Sequence, residues 1–187
     1  NDLGININTV PVLDVARDKT SKIIRNRSFS NRVKIVSKLG DYCIKLYSKN
    51  RIGTVIKHIP GHGLATNDSH FGTPIVNEKK KILNKIDFLA FKNKKSLFAM
   101  TAHIIYSQYD PANTATHSKI IINEIIRKKL KFRHLLISDD ISMKALKYDL
   151  KENVTRSLNA GCNLILHCNG NINEMRIIAN NVPKIDD

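Results

Sequence analysis

Short apolar runs alternate along the chain with stretches of helical period, and this alternation restricts the possible folds more than any other feature. The runs are "TVPVLDV" at 9–15, "GTVIKH" at 53–58, "LFAMTAH" at 97–103, "HLLISDD" at 134–140 and "NLILHC" at 163–168. Each is short and continuous enough to be a strand buried on both faces. Helical patterns near 31–50, 77–93, 117–131, 149–160 and 171–181 follow them one for one. Such a series predicts an α/β fold with a parallel sheet and right-handed crossovers.

Polar residues gather at one end of these runs. Asp14, the pair Lys57 and His58, His103, and the pair Asp139 and Asp140 each stand at a C-terminal strand end. In an eight-stranded α/β barrel that end carries the active site, because the strand-to-helix loops converge there. An open doubly wound sheet also collects residues at strand ends, but it usually carries a glycine-rich phosphate turn, and no G-x-G-x-x-G follows a strand here. The barrel is therefore preferred. A barrel takes about 250 residues and eight strands, whereas this chain of 187 residues shows five runs. The expectation is one domain over 1–187 that makes up part of a TIM barrel.

A formal charge of +15 raises the question of a nucleic-acid partner, since lysine and arginine that neutralise phosphates give sequence-independent affinity. The lysines are instead scattered through the helical stretches (79–81, 92–95, 128–131), without interleaved aromatic residues to stack bases. A solvated basic surface and no nucleic-acid partner are expected. No run approaches the roughly 18 apolar residues of a membrane span, and the N-terminus lacks a charged head before an apolar stretch. This favours a soluble, cytoplasmic protein with no membrane partner. Cys43, Cys162 and Cys168 are spaced unlike a zinc pattern and lie in apolar surroundings, which predicts reduced, buried thiols.

The stretch "KHIPGHGLATNDSH" at 57–70 concentrates titratable groups. His58 and His62 have the spacing of a helical metal pair, but Pro60 and Gly61 between them break a helix. A metal-dependent barrel hydrolase drawing ligands from His58, His70, His103 and Asp139 is the competing enzyme class; the preferred reading needs no metal or cofactor. Asp68 and His70 are two apart, so a carboxylate can fix one imidazole nitrogen and raise the basicity of the other, an acid/base device. An Asx turn beside an exposed histidine is the alternative. In "SDD" the consecutive aspartates point to opposite sides of an extended chain. Either is a candidate nucleophile, and the alternative is an N-cap for the next helix, with Asp140 or Ser142 serving.

Taken together, "KHIPGHGLATNDSHFGTPIV", "MTAHIIYSQYDP", "LLISDDISMKAL" and "LNAGCNLILHCN" resemble the bacterial β-N-acetylglucosaminidases of glycoside hydrolase family 3, enzymes of peptidoglycan recycling. "LGININTVPVLDVARD" and "NRSF" at 26–29 fit the same family. The resemblance implies a (β/α)8 barrel performing retaining hydrolysis through a covalent glycosyl-enzyme intermediate. It implies Asp139 as nucleophile, His70 as acid/base oriented by Asp68, and Arg27, Lys57 and His58 as the residues that hold a terminal N-acetylglucosamine. The substrate it implies is a muropeptide carbohydrate, with no cofactor. Family members carry three more strands and a D-Q-E-G-G-R type segment before "VPVLDV". The chain is accordingly expected to supply strands four to eight and to be N-terminally incomplete, with the missing barrel portion as a partner and an inactive remnant as the competing outcome. Asn163 stands where the family has an aspartate.

Overall fold

The computed structural model describes residues 3–66 and 72–184. In chain order it contains β1 (Ile7–Asn8), α1 (Lys22–Arg25), α2 (Val33–Lys49), β2 (Gly53–Ile59), β3 (Ile75–Val76), α3 (Lys80–Lys85), β4 (Phe98–Thr101), β5 (Ile105–Tyr106), a π-helical segment (Ile121–Lys129), β6 (Leu135–Asp140), α4 (Leu150–Ala160), β7 (Leu164–Leu166) and α5 (Ile172–Ala179). The main sheet runs β1-β2-β4-β6-β7 and every pairing in it is parallel. Sequential strands thus lie side by side with helical crossovers between them. β3 and β5 form a separate parallel pair.

The first apolar run departs from its expected extent. Only Ile7–Asn8 is a regular strand, because Pro11 has no N–H to give the ladder. The segment nevertheless stays on the sheet: Val55 N donates to Val10 O (3.1 Å), Lys57 N to Pro11 O (3.2 Å) and Leu13 N to Lys57 O (2.8 Å). The helix expected over 77–93 is also interrupted. It becomes α3 and a tight 3-10 turn, Phe88–Phe91, which buries Phe88, Ala90 and Phe91. Three residues per turn place positions 88 and 91 on one side, as an α-helix does less closely. In contrast α4 matches its expected span, with Asp149 Oδ1 accepting the Glu152 N–H (2.8 Å) at its start and Gly161 in the left-handed region (φ +119°) at its end. That is the cap chemistry the residue types favour.

The two faces of the sheet differ. Ile56, Ala99 and Leu136 point into the principal core beneath the helices, with Leu13, Phe88 and Phe132. On the other face Val55, Phe98 and Met100 pack with Ile137 and Leu166 in a smaller cluster. The register places Lys57, Met100, Ile137 and Leu164 in one row and Phe98 beside Leu135 in another. Side chains in register share a face. The margin of this second face stays open: Ile7 is 46%, Leu135 40% and Leu164 38% exposed. Among the described residues β1 and β7 each have a single strand neighbour in this sheet, so the sheet ends in two unpaired edges.

Candidate active site

The ladder loses its regular register at two strand ends. Between β2 and β4 the register shifts between Lys57 and Ile59, and between β6 and β7 it shifts between Ile137 and Asp140. Such irregularities turn side chains out of strict alternation and commonly lie beside active sites. The Lys57–His58 and Ile59–Pro60 peptides are both cis. These two strand ends bring His58 to Asp139, with Nε2 4.0 Å from Asp139 Oδ2. That distance is an electrostatic contact and too long for a hydrogen bond.

Asp14 sits beneath His58 and is fully buried. Its Oδ2 lies 2.7 Å from His58 Nδ1, and its Oδ1 accepts the backbone N–H of His58 (3.1 Å) and of His62 (2.7 Å). Burial alone would push this carboxyl up; the His58 and His62 interactions outweigh it and hold Asp14 below the usual carboxylate range. His62 packs its ring on that of His58, T-shaped at 5.6 Å between centroids. It is itself buried, and burial together with the neighbouring His58 pushes it down to about 4, so it is neutral at pH 7.

Asp139 keeps 19% of its side chain exposed, and its Oδ1 accepts the N–H of Asp140 (2.8 Å). Burial pushes it up, while the imidazoles of His58 and His103 and the Asp140 N–H pull it further down. The net direction is below the usual carboxylate range, so it is ionised at neutral pH. Lys57 is half-buried and drawn down by desolvation and by the positive charge of Arg27. Asp139 and Asp14 oppose this. Arg27 is exposed, within electrostatic reach of Lys57. The structure therefore brings Lys57, His58 and Asp139 together, with Arg27 near enough to act on Lys57. Asp68 and His70 lie outside the described residues.

The loop that leads to Asp68 and His70 is anchored on both sides of the undescribed segment. On the way in, the Tyr106 hydroxyl donates to Gly61 O (2.5 Å), the Thr20 hydroxyl to Gly63 O (2.5 Å), and Leu64 N donates to buried Asp87 Oδ2 (3.2 Å). On the way out, β3 pairs with β5 and the Thr73 hydroxyl donates to Ala145 O (2.6 Å). Two glycines permit this packing. Gly61 has φ +143°, and a Cβ on Gly63 would fall 2.1 Å from Val15 O, a backbone atom that no rotamer can move. Gly63→Ala is therefore expected to destabilise the protein by about 1–3 kcal/mol or more, read as a drop in melting temperature. An unchanged midpoint would contradict the packing described.

Several expectations are corrected here. Asp140, like Ser142, does not cap the next helix, which starts at Leu150 under Asp149. Its Oδ1 instead accepts from Ser142 N (3.1 Å), Ser142 Oγ (2.8 Å) and Cys168 N (3.3 Å), closing a turn. All three cysteines are free, but only Cys162 is buried; Cys43 is intermediate and Cys168 exposed beside that turn. Of the ligand set of the competing metal hydrolase, His70 lies outside the described residues and only His103 has both ring nitrogens engaged. His103 uses both ring nitrogens, Nε2 donating to Asp140 O (3.0 Å) and Nδ1 accepting from Thr116 Oγ1 (2.7 Å), while His58 commits Nδ1 to Asp14. Asn163 binds backbone instead of facing the site: its Oδ1 accepts from Leu136 N (2.9 Å) and Arg127 (3.0 Å). Among the described residues no helix is long and apolar enough to cross a membrane.

Asp14 is the functional-site residue that sequence reasoning undervalued. It was visible only as one polar strand end among several, because its partner lies 44 residues away.

Comparison with known proteins agrees with this geometry. The model of the glycosyl hydrolase family 3 N-terminal domain matches residues 1–186. A beta-hexosaminidase of Haemophilus influenzae is 35% identical over 184 residues, covering 95% of this chain and 52% of that protein. The structure is similar to zinc-bound CbsA of Thermotoga neapolitana, with a TM-score of 0.87 at 33% identity, covering 95% of this chain and 39% of that one. It is also similar to NagZ of Neisseria gonorrhoeae, solved with N-trifluoroacetyl-D-glucosamine, with a TM-score of 0.85 at 28% identity over 98% of this chain and 54% of that one. The chain spans about half the length of the curated relatives it matches. On its parallel sheet, its strand-end residues and the match of nearly its whole length, the chain belongs to glycosyl hydrolase family 3.

Proposed function

We propose that this chain carries the catalytic residues of a retaining β-N-acetylhexosaminidase that removes terminal β-linked N-acetylglucosamine from muropeptide fragments in the cytoplasm. The five strands of its main sheet are strands four to eight of a (β/α)8 barrel, and residues 1–187 are one part-barrel domain. The N-terminal portion of the barrel covers the face left open at Ile7, Leu135 and Leu164.

The single observation that carries the reading is the ionised Asp139 beside His58 and Lys57 at the C-terminal ends of parallel strands. In the first step Asp139 attacks the anomeric carbon, the glycosidic C–O bond breaks, and the leaving oxygen takes a proton from the imidazolium of His70. In the second, neutral His70 removes a proton from water, whose oxygen attacks the same carbon and releases Asp139. Asp68 orients His70. Arg27, Lys57 and His58 hold the sugar. An imidazole suits both proton transfers because its ordinary pKa lies near neutrality. The anchored loop described above supports this reading, since the described residues on both sides of the segment bearing Asp68 and His70 are tied to the fold.

The test is turnover of a chromogenic β-N-acetylglucosaminide by the protein, with the corresponding β-glucoside as control. Release of the chromophore from the N-acetyl sugar is expected. No release from either sugar would favour the rival reading, an inactive remnant, for which the open apolar margin of the sheet is the supporting observation.

A further inference from the structure

We infer that Asp14 is a positioning residue: its carboxylate keeps a proton on Nδ1 of His58 and so presents Nε2 to the sugar beside Asp139. The inference rests on the reading that His58 holds the substrate. It concerns a residue that never touches the sugar.

A carboxylate only accepts hydrogen bonds. At 2.7 Å from Asp14 Oδ2, His58 Nδ1 must therefore be the donor, which leaves Nε2 as the nitrogen without a hydrogen bond to the described residues and turned toward Asp139. The second nitrogen of an imidazole is routinely set in this way by the partner of the first. Asp14 is placed to do so rigidly. It is fully buried, and its other oxygen is tied to the backbone N–H groups of His58 and His62. The loop base and the ring thus refer to one carboxylate. His62 stacks edge-on against the ring and restricts its rotation. A buried aspartate serving only as a backbone anchor would need the two N–H contacts and no contact with Nδ1.

The mutation Asp14→Asn keeps the acceptor for His62 N–H and can turn its amide NH2 toward Nδ1, which drives the proton to Nε2. The expected loss in kcat/KM for a chromogenic β-N-acetylglucosaminide is about 10–100-fold, the usual effect of removing such a partner. Because Asp14 acts through His58, His58→Gln and the double variant should lose no more than the worse single change. Multiplicative losses would overturn the inference. A second readout needs no activity: two-bond 1H–15N spectra of the 15N-labelled wild-type protein report which imidazole nitrogen of His58 carries hydrogen. Nδ1 is expected to be protonated at neutral pH, and an unprotonated Nδ1 would overturn the inference even if Asp14→Asn fails to fold. Wild-type protein that turns over no sugar would sink the glycosidase reading instead, and the spectra would still decide on Asp14.

Discussion

Asp139→Asn is expected to lower turnover of a chromogenic β-N-acetylglucosaminide by roughly 10³-fold or more, the scale on which loss of a catalytic nucleophile is felt. The amide has the shape of the carboxylate but cannot form the glycosyl ester. The fold should survive the change. The Asn carbonyl can still accept the Asp140 N–H now taken by Asp139 Oδ1 (2.8 Å), and among the described residues Oδ2 makes no hydrogen bond that would be broken, since His58 Nε2 is 4.0 Å away. Initial rates and a thermal melt measured on the same sample separate the two effects. Activity within tenfold of wild type, with an unchanged melt, would remove Asp139 from the mechanism.

The second large effect concerns Asp87, which is fully buried under the loop that leads toward His70. Burial, and then the negative charge of Asp14, push its carboxyl up from 3.8 to about 7. The native state therefore holds this proton more tightly than the unfolded chain does. Stability from this group is present below about pH 4 and is lost as pH rises through about 7. Moving a carboxyl that far corresponds to roughly 4 kcal/mol. His62 and His117 act in the opposite direction: burial first, then a neighbouring histidine, push both down to about 4. They remove stability as pH falls from 6.5 toward 4, so the wild-type profile alone mixes the two trends. Comparison with Asp87→Asn separates them. Asparagine mimics the protonated acid and keeps an acceptor for Leu64 N–H. The variant should become progressively more stable than wild type between about pH 4 and 7 and keep a constant advantage above that, read as a gap in melting temperature that widens and then levels off. A gap that stays constant from about pH 4 to 7 would mean that Asp87 does not titrate in this range.

The alternation of apolar and helical segments made the parallel sheet legible, since "GTVIKH", "HLLISDD" and "NLILHC" carry β2, β6 and β7 nearly in place. "TVPVLDV" was less so, because Pro11 removes a ladder donor and moves the regular strand back to Ile7–Asn8. The helix expected over 77–93 failed where Phe88 and Phe91 needed a tighter turn to reach the core.

In the site, the polar strand ends marked Lys57, His58 and Asp139 as neighbours because parallel strands share a C-terminal edge. What the pattern could not carry was the register. The irregularities after Lys57 and Ile137 aim these side chains, and they depend on pairing between chain segments some 25–45 residues apart. The link from Asp14 to His58 was hidden for the same reason. Likewise the exposure of Cys168 follows from the turn closed by Asp140, which local apolar composition does not foretell.

In the proposed mechanism Asp139 becomes covalently joined to the sugar. A fluorinated N-acetylglucosaminyl donor, which forms the ester quickly and loses it slowly, can be incubated with the protein and the label located by mass spectrometry of its peptides. One glycosyl group is expected on Asp139, absent from Asp139→Asn. Donor consumed with no labelled peptide, or with the label on another residue, would contradict it.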